Sequence, residues 1–543
     1  MQRLWERLQQ APFWRAPLGF GLALLPGLLV AGWIFYRATQ TWGLGANSDG
    51  LTYLVLARNL ARGWGYGRPT PLGGWKPMTH FPPGYPALIA GLMRLAAVDV
   101  DTAAWWLHAC LALAVPGLAG LLVFRTTRHL APAAVVTFYL GLAYPWQRIV
   151  TWVFSEAPFI LLVLLTGWAL ARWHERPSRG RAAWLAGLAA AGTLVRWIGG
   201  VLFFWVVSSL IRRAWHTRHL RGSIIVLLLG YTLPVAAWVL RNRLVAGNAV
   251  NRPLAWHPPG FEKWRVAAET LADWVRPWYA TRTPSQTWAL AATVVLVSAG
   301  LVLWAWHREP AIRPDLGRWL AFIGWYLFGL VGAITLVDAS TPMDWRLLAP
   351  VFVVLVIVLA LASWVTLARH WVTILLLIWV VYRLARITWT YDGFYLLDRM
   401  HHIGGALRNR AWQTAAVWHG IRRLPPDVPL WTNELPETLY YTDHPAFQLP
   451  MGHVTREGRR WVYDPITGRW KDIGPAAQGD DDAWLRALAQ QVARVRGQIA
   501  WIMVDPTQRS RLATYTRCFV PTRVYADGML LRPRAACLEP TEP

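Results

Sequence analysis

Stretches of about twenty residues with almost no charge recur along the first two thirds of this chain, among them "PLGFGLALLPGLLVAGWIFY" (17–36) and "LLAPVFVVLVIVLALASW" (347–364). A run of that length and apolarity matches the hydrocarbon thickness of a bilayer when coiled as a helix. Inside lipid no water is present to satisfy backbone N–H and C=O groups, so a helix or a closed barrel is the only spanning solution. The runs are too long and too continuously apolar for barrel strands. The pattern predicts a polytopic α-helical membrane protein with about eleven transmembrane helices, near 17–37, 103–124, 131–147, 153–171, 183–195, 198–211, 222–240, 287–306, 319–337, 347–366 and 371–386.

Composition agrees: 55% of the 543 residues are hydrophobic, 15% are charged and 38 are Trp. The net charge of +25 does not indicate nucleic acid, because the arginines gather in short segments between apolar runs. Such segments orient membrane proteins by staying in the cytoplasm. The N-terminal stretch (Arg3, Arg7, Arg15), "FRTTRHL" (124–130), "RWHERPSRGR" (172–181), "IRRAWHTRHLR" (211–221) and "HREPAIRPDLGR" (307–318) all fall on one side if the N-terminus is cytoplasmic. The first run has no small-residue cleavage site and reads as a retained helix. An odd number of spans then places the C-terminus outside.

Two loops on the outer side are long, 38–102 and 241–286. In the first, Gly84–Val98 is apolar but short for a span and reads as an interfacial helix. In the second, Trp264, Ala268, Leu271, Trp274, Val275 and Trp278 recur at helical spacing. The sequence thus predicts a membrane domain over 1–386. After that the composition becomes that of a soluble domain, and 387–543 is predicted to be a small extracytoplasmic α/β domain. "VPLWTN" and "IAWIMVD" read as strands, and "DDDAWLRALAQQVARVRG" as a helix with acids at its start and Gly497 at its end. Asp527-Gly528 reads as a hairpin turn. Its centre, 527.5, is also the midpoint of Cys518 and Cys537, so an unbroken hairpin brings the two cysteines together. Pro521 and Pro533 work against that register.

Few residues offer chemistry. Asp49 lies at the rim of the first span, in "NSDGLTYLVLARNLARGWGYG" (47–67). It is either a working carboxylate or, with Ser48, a cap of the helix that begins near Leu51. Glu156, in "WVFSEAPFILLVLL", is an acid at the end of an apolar helix. Two readings stand for it, a functional acid and a first-turn acid complementing the helix dipole with Ser155 as cap. Arg196 and Arg346 sit at the outer ends of apolar runs, where a guanidinium either snorkels or binds phosphate bidentately. His80, in "THFPPGYP", and Lys76 are candidates to reach an anion, against the simpler reading of solvated loop residues. No phosphate loop, no GxGxxG turn, no HExxH and no CxxC is present, so neither a nucleotide fold nor a tight zinc site is indicated.

Taken in order, several segments resemble the GT-C superfamily of integral-membrane glycosyltransferases. The likeness is to the bacterial branch of protein O-mannosyltransferases, the lipid A aminoarabinose transferase and lipopolysaccharide-core sugar transferases. "SDGLTYLVLARNLARGWGYG" resembles the first-loop motif, with Asp49, Tyr53 and Ala57; "HFPPGYPALIAGLMRL" resembles the Pro-Pro segment, with Tyr85; "FSEAPFILLVLL", "GLAAAGTLVRWIGG", "WVLRNRLVAGN" and "DWRLLAPVFVV" follow. Relatives often carry two acids in the first loop and a Lys before Pro-Pro; here Gly50 follows Asp49, and Phe81 stands before the prolines with His80 and Lys76 behind it.

The resemblance implies an inverting glycosyltransferase of the cell (inner) membrane that moves a sugar from a polyprenyl-phosphate donor to an acceptor hydroxyl on a lipid, glycan or protein. Asp49 is then the general base and Glu156 a second catalytic acid. Tyr53, His80, Tyr85, Arg196 and Arg346 hold the donor's phosphate or sugar. No cofactor is required, and a divalent metal remains an option. The rival readings are a flippase or transporter of lipid-linked sugars, for which the sequence shows no inverted repeat, and a polysaccharide polymerase or ligase.

Overall fold

In the computed structural model, residues 17–538 are described except 216, 218–220, 251–253, 277–281, 339–340, 368–393, 450–452, 455–458, 465–468 and 476–480. The chain divides into two compact units, one made of 1–45 with 79–404 and the other of 46–78 with 405–543. The second unit therefore unites part of the loop 38–102 with the C-terminal region, whereas the sequence suggested a single division near residue 386.

The first unit is helical: α1 Pro17–Thr39, then, after the excursion into the other unit, α3 Gly84–Ala96, α4 Val100–Thr127, α5 Leu130–Leu142, α6 Tyr144–Val150, α7 Glu156–Glu175, α8 Arg179–Val195, α9 Gly200–Trp215, α10 Arg221–Ala246, α11 Phe261–Asp273, α12 Pro284–Arg308, α13 Arg313–Leu336 and α14 Trp345–Leu367. Seven helices among the described residues are long and apolar enough to cross a membrane: 19–39, 100–127, 156–175, 221–246, 284–308, 310–336 and 345–364. The expectation of eleven spans is finer than what the described helices show. The runs at 131–147, 183–195 and 198–211 do form helices, but shorter ones, and 371–386 lies outside the described residues. The 131–147 run breaks into α5 and α6 because Ala143 turns extended (ψ 116°) ahead of Pro145, whose ring cannot continue a helix.

Helix contacts in this unit rely on small residues, as expected where lipid supplies no hydrophobic drive between helices. Gly27 of α1 and Gly141 of α5 face each other so closely that a Cβ on Gly141 would lie 2.5 Å from the Gly27 carbonyl oxygen. Gly167 of α7 makes room for the ring of Trp319 in the same way. By contrast only 11% of the apolar window in α10 is buried, and Leu229, Leu233 and Leu240 are exposed along it, a surface that only lipid covers favourably. Both stretches expected as surface helices are helical over 84–96 and 261–273; the second ends before Trp274 and Val275, and Trp278 lies outside the described residues. α3 is a 13-residue helix that ends at Ala97 in the left-handed conformation, and α11 carries ion pairs of Arg265 with Glu262 and Glu269 on its exposed side.

The second unit contains α2 Ser48–Ala61, β1 Gly67–Pro69, β2 Trp75–Pro77, α15 Ala416–Arg422, β3 Leu430–Thr432, α16 Leu435–Thr442, β4 Ala446–Gln448, β5 His453–Val454, β6 Arg459–Asp464, β7 Arg469–Pro475, α17 Asp481–Arg494, β8 Gln498–Ile502, α18 Gln508–Tyr515, β9 Phe519–Tyr525 and β10 Gly528–Pro533. A five-stranded sheet runs in the order β4-β3-β8-β10-β9. β4, β3 and β8 are parallel; β10 is antiparallel to both β8 and β9. Trp431, Leu485, Ile499, Trp501, Phe519 and Leu531 form its core. Strands at 430–432 and 498–502 and a helix at 481–494 occupy the stretches whose composition predicted them. The hairpin turn sits one residue earlier than expected, with Tyr525 opposite Gly528 and a bulge at Leu530/Leu531. Asp527 is the second turn residue, after Ala526, and its carboxylate accepts from the Ala416 and Val417 N–H groups and caps α15. Cys518 and Cys537 are disulfide-bonded nonetheless, because residues 535–537 coil back beneath the strand end.

Candidate functional site

Three helix ends of the first unit meet at one buried carboxylate. α7 begins at Glu156, α8 ends just before Arg196, and α14 begins one residue before Arg346. Arg196 leaves the helical conformation (φ −150°, ψ 136°), which throws its side chain back toward the start of α7. Its Nη1 lies 2.5 Å from Glu156 Oε2 and 3.2 Å from Ser155 Oγ. From the other side Arg346 Nε donates to Glu156 Oε1 at 3.0 Å. Glu156 is 1% exposed, Arg196 14% and Arg346 21%. The carboxylate is thus sealed while both arginine side chains remain partly exposed.

Asp344, which the sequence reading passed over, completes the arrangement: its Oδ1 accepts from the Arg346 and Leu347 N–H groups and caps α14. An acid two residues before Arg346 was the available signal. Phe154 lies under the Arg346 guanidinium, 4.5 Å from its carbon, and the Arg148 guanidinium stands 3.6 Å over the ring of Trp345. Two like charges held a few ångströms apart are tolerated only because the carboxylate lies between them. Ser155 makes no side-chain capping bond, so of the two readings of Glu156 the dipole contribution stands without the expected cap. Glu156 is first of all the counter-ion of two arginines.

The Pro-Pro segment connects to this region through its backbone: the His80 carbonyl accepts from the indole of Trp197, next to Arg196, at 2.9 Å. Tyr85 is fully buried, and its hydroxyl pairs with His108 Nε2 at 2.7 Å, while His108 Nδ1 bonds the Val150 carbonyl.

Asp49 and Tyr53 belong to α2, in the second unit. The cap of that helix is Asn47, whose side chain accepts from Gly50 N at 2.9 Å. This replaces the expected Ser48 or Asp49 cap and leaves Asp49 in the first turn, partly exposed, with no capping duty. Tyr53 is buried. α2 is anchored from its far end: Arg58 donates to the Leu439 and Tyr440 carbonyls, at the C-terminal pole of α16, and Arg62 pairs with Asp443 at 2.5 Å. Asn59 bonds the Gly67 carbonyl at 2.8 Å and so fixes the β1–β2 hairpin to the same helix. That hairpin sets Arg68 directly opposite Lys76. Burial, and then repulsion from Arg68, lowers the Lys76 ammonium to about 8, and burial lowers Arg68 to about 10. Like charges opposite one another across a strand pair are destabilising.

Elsewhere in the second unit, two acids follow β3. Burial, with repulsion from Glu437 and Asp505, pushes Glu434 up to about 8, and burial pushes Glu437 up to about 7. Neither carboxyl oxygen of Glu437 has a hydrogen-bond partner among the described residues. Among the described residues no group of three or more His, Cys, Asp and Glu side chains is placed to hold a metal ion.

Apolar membrane-length helices, shorter helices between them and an acid–arginine cluster at one end of the bundle describe a polytopic helical membrane fold. Solved structures share that fold, among them the following two. ArnT from Cupriavidus metallidurans, bound to undecaprenyl phosphate, aligns over 97% of this chain and 100% of its own, with a TM-score of 0.55 at 14% identity. The archaeal oligosaccharyltransferase AglB from Archaeoglobus fulgidus, in complex with an inhibitory peptide and a dolichol-phosphate, aligns over 88% of this chain and 69% of its own, with a TM-score of 0.51 at 12% identity. No family model and no curated protein matches the sequence. At these identities the likeness is one of fold.

Proposed function

We propose that this chain is a GT-C-type glycosyltransferase that moves a sugar from a polyprenyl-phosphate donor to an acceptor hydroxyl at the outer face of the cell membrane. The observation that carries this reading is the convergence of Arg196 and Arg346, both partly exposed, on the buried Glu156. A guanidinium suits phosphate oxygens. Membrane-length helices around it suit a donor whose tail stays in lipid. The fold shared with proteins bound to undecaprenyl phosphate and dolichol-phosphate supports the same class of donor.

The chemistry is one inverting displacement. Asp49 accepts the proton of the acceptor hydroxyl as its oxygen bonds to the anomeric carbon. The bond from that carbon to the phosphate oxygen breaks, and the electron pair leaves with the polyprenyl phosphate. General-base assistance is worth ~10²–10⁴ in rate. Arg196 and Arg346 stabilise the charge that grows on the leaving phosphate. Glu156 acts through them, as the residue that holds both guanidiniums in position. His80, whose carbonyl accepts from Trp197 beside Arg196, is a further candidate group for the anionic donor. Tyr53 and Tyr85, both buried, support the elements that carry these groups.

The test is transfer by purified, reconstituted protein from an undecaprenyl-phosphate-linked sugar, followed by mass spectrometry of the lipid and the acceptor. Asp49→Asn is expected to abolish transfer while the purified yield and thermal unfolding stay unchanged. Near-normal turnover in that variant rejects Asp49 as base, and no transfer from any polyprenyl-phosphate sugar by the unaltered protein rejects the enzyme reading.

A further inference from the structure

Three of the basic segments that orient the chain fold into a single cavity of about 600 Å³. His174 lies at the end of α7, Arg213 near the end of α9, Trp306 near the end of α12, and Arg313 and Arg318 in the first turns of α13; Trp205 closes the wall. At ~1.5 Å per residue, His174 lies about 27 Å along α7 from Glu156. The cavity is therefore separate from the acid–arginine cluster, at the opposite end of the same helix.

Its wall is charged in one sense. Arg213 donates to the His174 carbonyl, and its Nη1 lies 3.4 Å from His174 Nδ1, which places the acceptor nitrogen of a neutral imidazole there; Nε2 bonds Ser209 Oγ at 3.0 Å. Arg313 donates from Nε to the Trp306 carbonyl at 2.6 Å and from Nη2 to the His307 carbonyl at 3.4 Å. These contacts cap the ends of α7 and α12, where carbonyls lack helical partners. Capping alone accounts for one or two of the five N–H donors of each guanidinium. Arg318 pairs with Asp315 at 2.7 Å, yet its buried Nε has no hydrogen-bond partner among the described residues. No carboxylate belongs to the described lining; Asp315 and Glu175 act on Arg318 from outside it, and Arg125, which pairs with Glu175, adds a further positive charge. Beside the cavity in the chain, Ile211, Leu303 and Trp304 are exposed apolar side chains on membrane-length or apolar helices.

We propose that this cavity binds the phosphate of an anionic membrane lipid. Guanidiniums take a phosphate diester through charge-assisted, bidentate bonds, and basic pockets between membrane helices are suited to lipid head groups. The flanking apolar residues give the acyl chains a surface that a free phosphate does not need. Occupancy would satisfy the orphaned Arg318 Nε and set an anion among the three guanidiniums.

The experiment is thermal unfolding of the full-length protein in detergent, read by Trp fluorescence, with added phosphatidylglycerol, phosphatidylcholine or inorganic phosphate. Phosphatidylglycerol is expected to raise the unfolding midpoint by several degrees, and the other two to leave it in place. Ala321→Glu sets a carboxylate into the lining and removes no cap; Arg313→Gln removes a guanidinium. Each is expected to abolish at least half of the phosphatidylglycerol shift. An undiminished shift in Ala321→Glu overturns the site. An equal shift from inorganic phosphate alone overturns the lipid as its occupant.

Discussion

Replacing Glu156 by Gln is the perturbation that reaches most directly into the cluster. It keeps the side-chain shape and one acceptor oxygen and removes the charge that pairs with both Arg196 and Arg346. Removing one partner of a buried pair costs ~3–5 kcal/mol, mostly because the other charge is left without compensation. Here the stranded cations are 14% and 21% exposed and keep Ser155 Oγ and the Phe154 ring, so the lower end, about 3 kcal/mol, applies. Arg346→Gln leaves Glu156 still paired with Arg196 at 2.5 Å and should cost less, about 1–2 kcal/mol. In the double variant one uncompensated cation fewer remains. The two effects should then be non-additive by at least ~1 kcal/mol, as for residues in one ion-pair network. The assay is equilibrium unfolding in mixed micelles, followed by Trp fluorescence, for the four proteins of the cycle. Because Glu156 is assigned to hold phosphate-binding arginines, its loss should also raise KM for the lipid donor more than it lowers kcat, and Glu156→Asp should restore part of that KM. Strict additivity, or a Glu156→Gln variant within ~0.5 kcal/mol of the unaltered protein, refutes the counter-ion role.

Two further outcomes concern the second unit. Glu437 and Glu434 hold their protons to about 7 and about 8 in the folded chain against an ordinary value of 4.5, so the folded state binds more protons than the unfolded state across that window. Stability should therefore be greatest below about pH 4.5 and fall as pH rises toward 8, and Glu437→Gln should recover on the order of 3 kcal/mol at pH 8.5 and flatten the curve; parallel curves for the two proteins would refute the assignment. The Cys518–Cys537 disulfide closes a loop of 19 residues, so reduction should destabilise the second unit by about 3 kcal/mol, measured as a lower denaturation midpoint on adding a thiol. Equal midpoints with and without reductant would contradict this.

What sequence alone could show depended on how local the cause was. Helices at 17–39, 100–127 and 345–367 follow from apolar runs that leave the backbone no other arrangement in lipid, the helix 84–96 from a shorter apolar run and the helix 261–273 from periodicity. The residues of the cluster were visible singly, as charges at the ends of apolar runs. The short helix 144–150 was missed because hydropathy does not register the break before Pro145. Asn47 was missed as a cap because Ser48 and Asp49 beside it are equally good capping residues.

Only the tertiary structure decided which charges meet. Glu156 lies 40 residues from Arg196 and 190 from Arg346, and no local pattern states that Arg196 turns extended to reach it. Arg58 and Arg62 of α2 find Asp443 and the end of α16 some 380 residues away, which takes the helix bearing Asp49 into the second unit. The basic segments read as orientation signals, and folding turned three of them into the walls of one cavity. Burial of apolar length is a property of consecutive residues and can be read along the chain. Electrostatic pairing is a property of positions in space, set by packed helices that bring distant ends together.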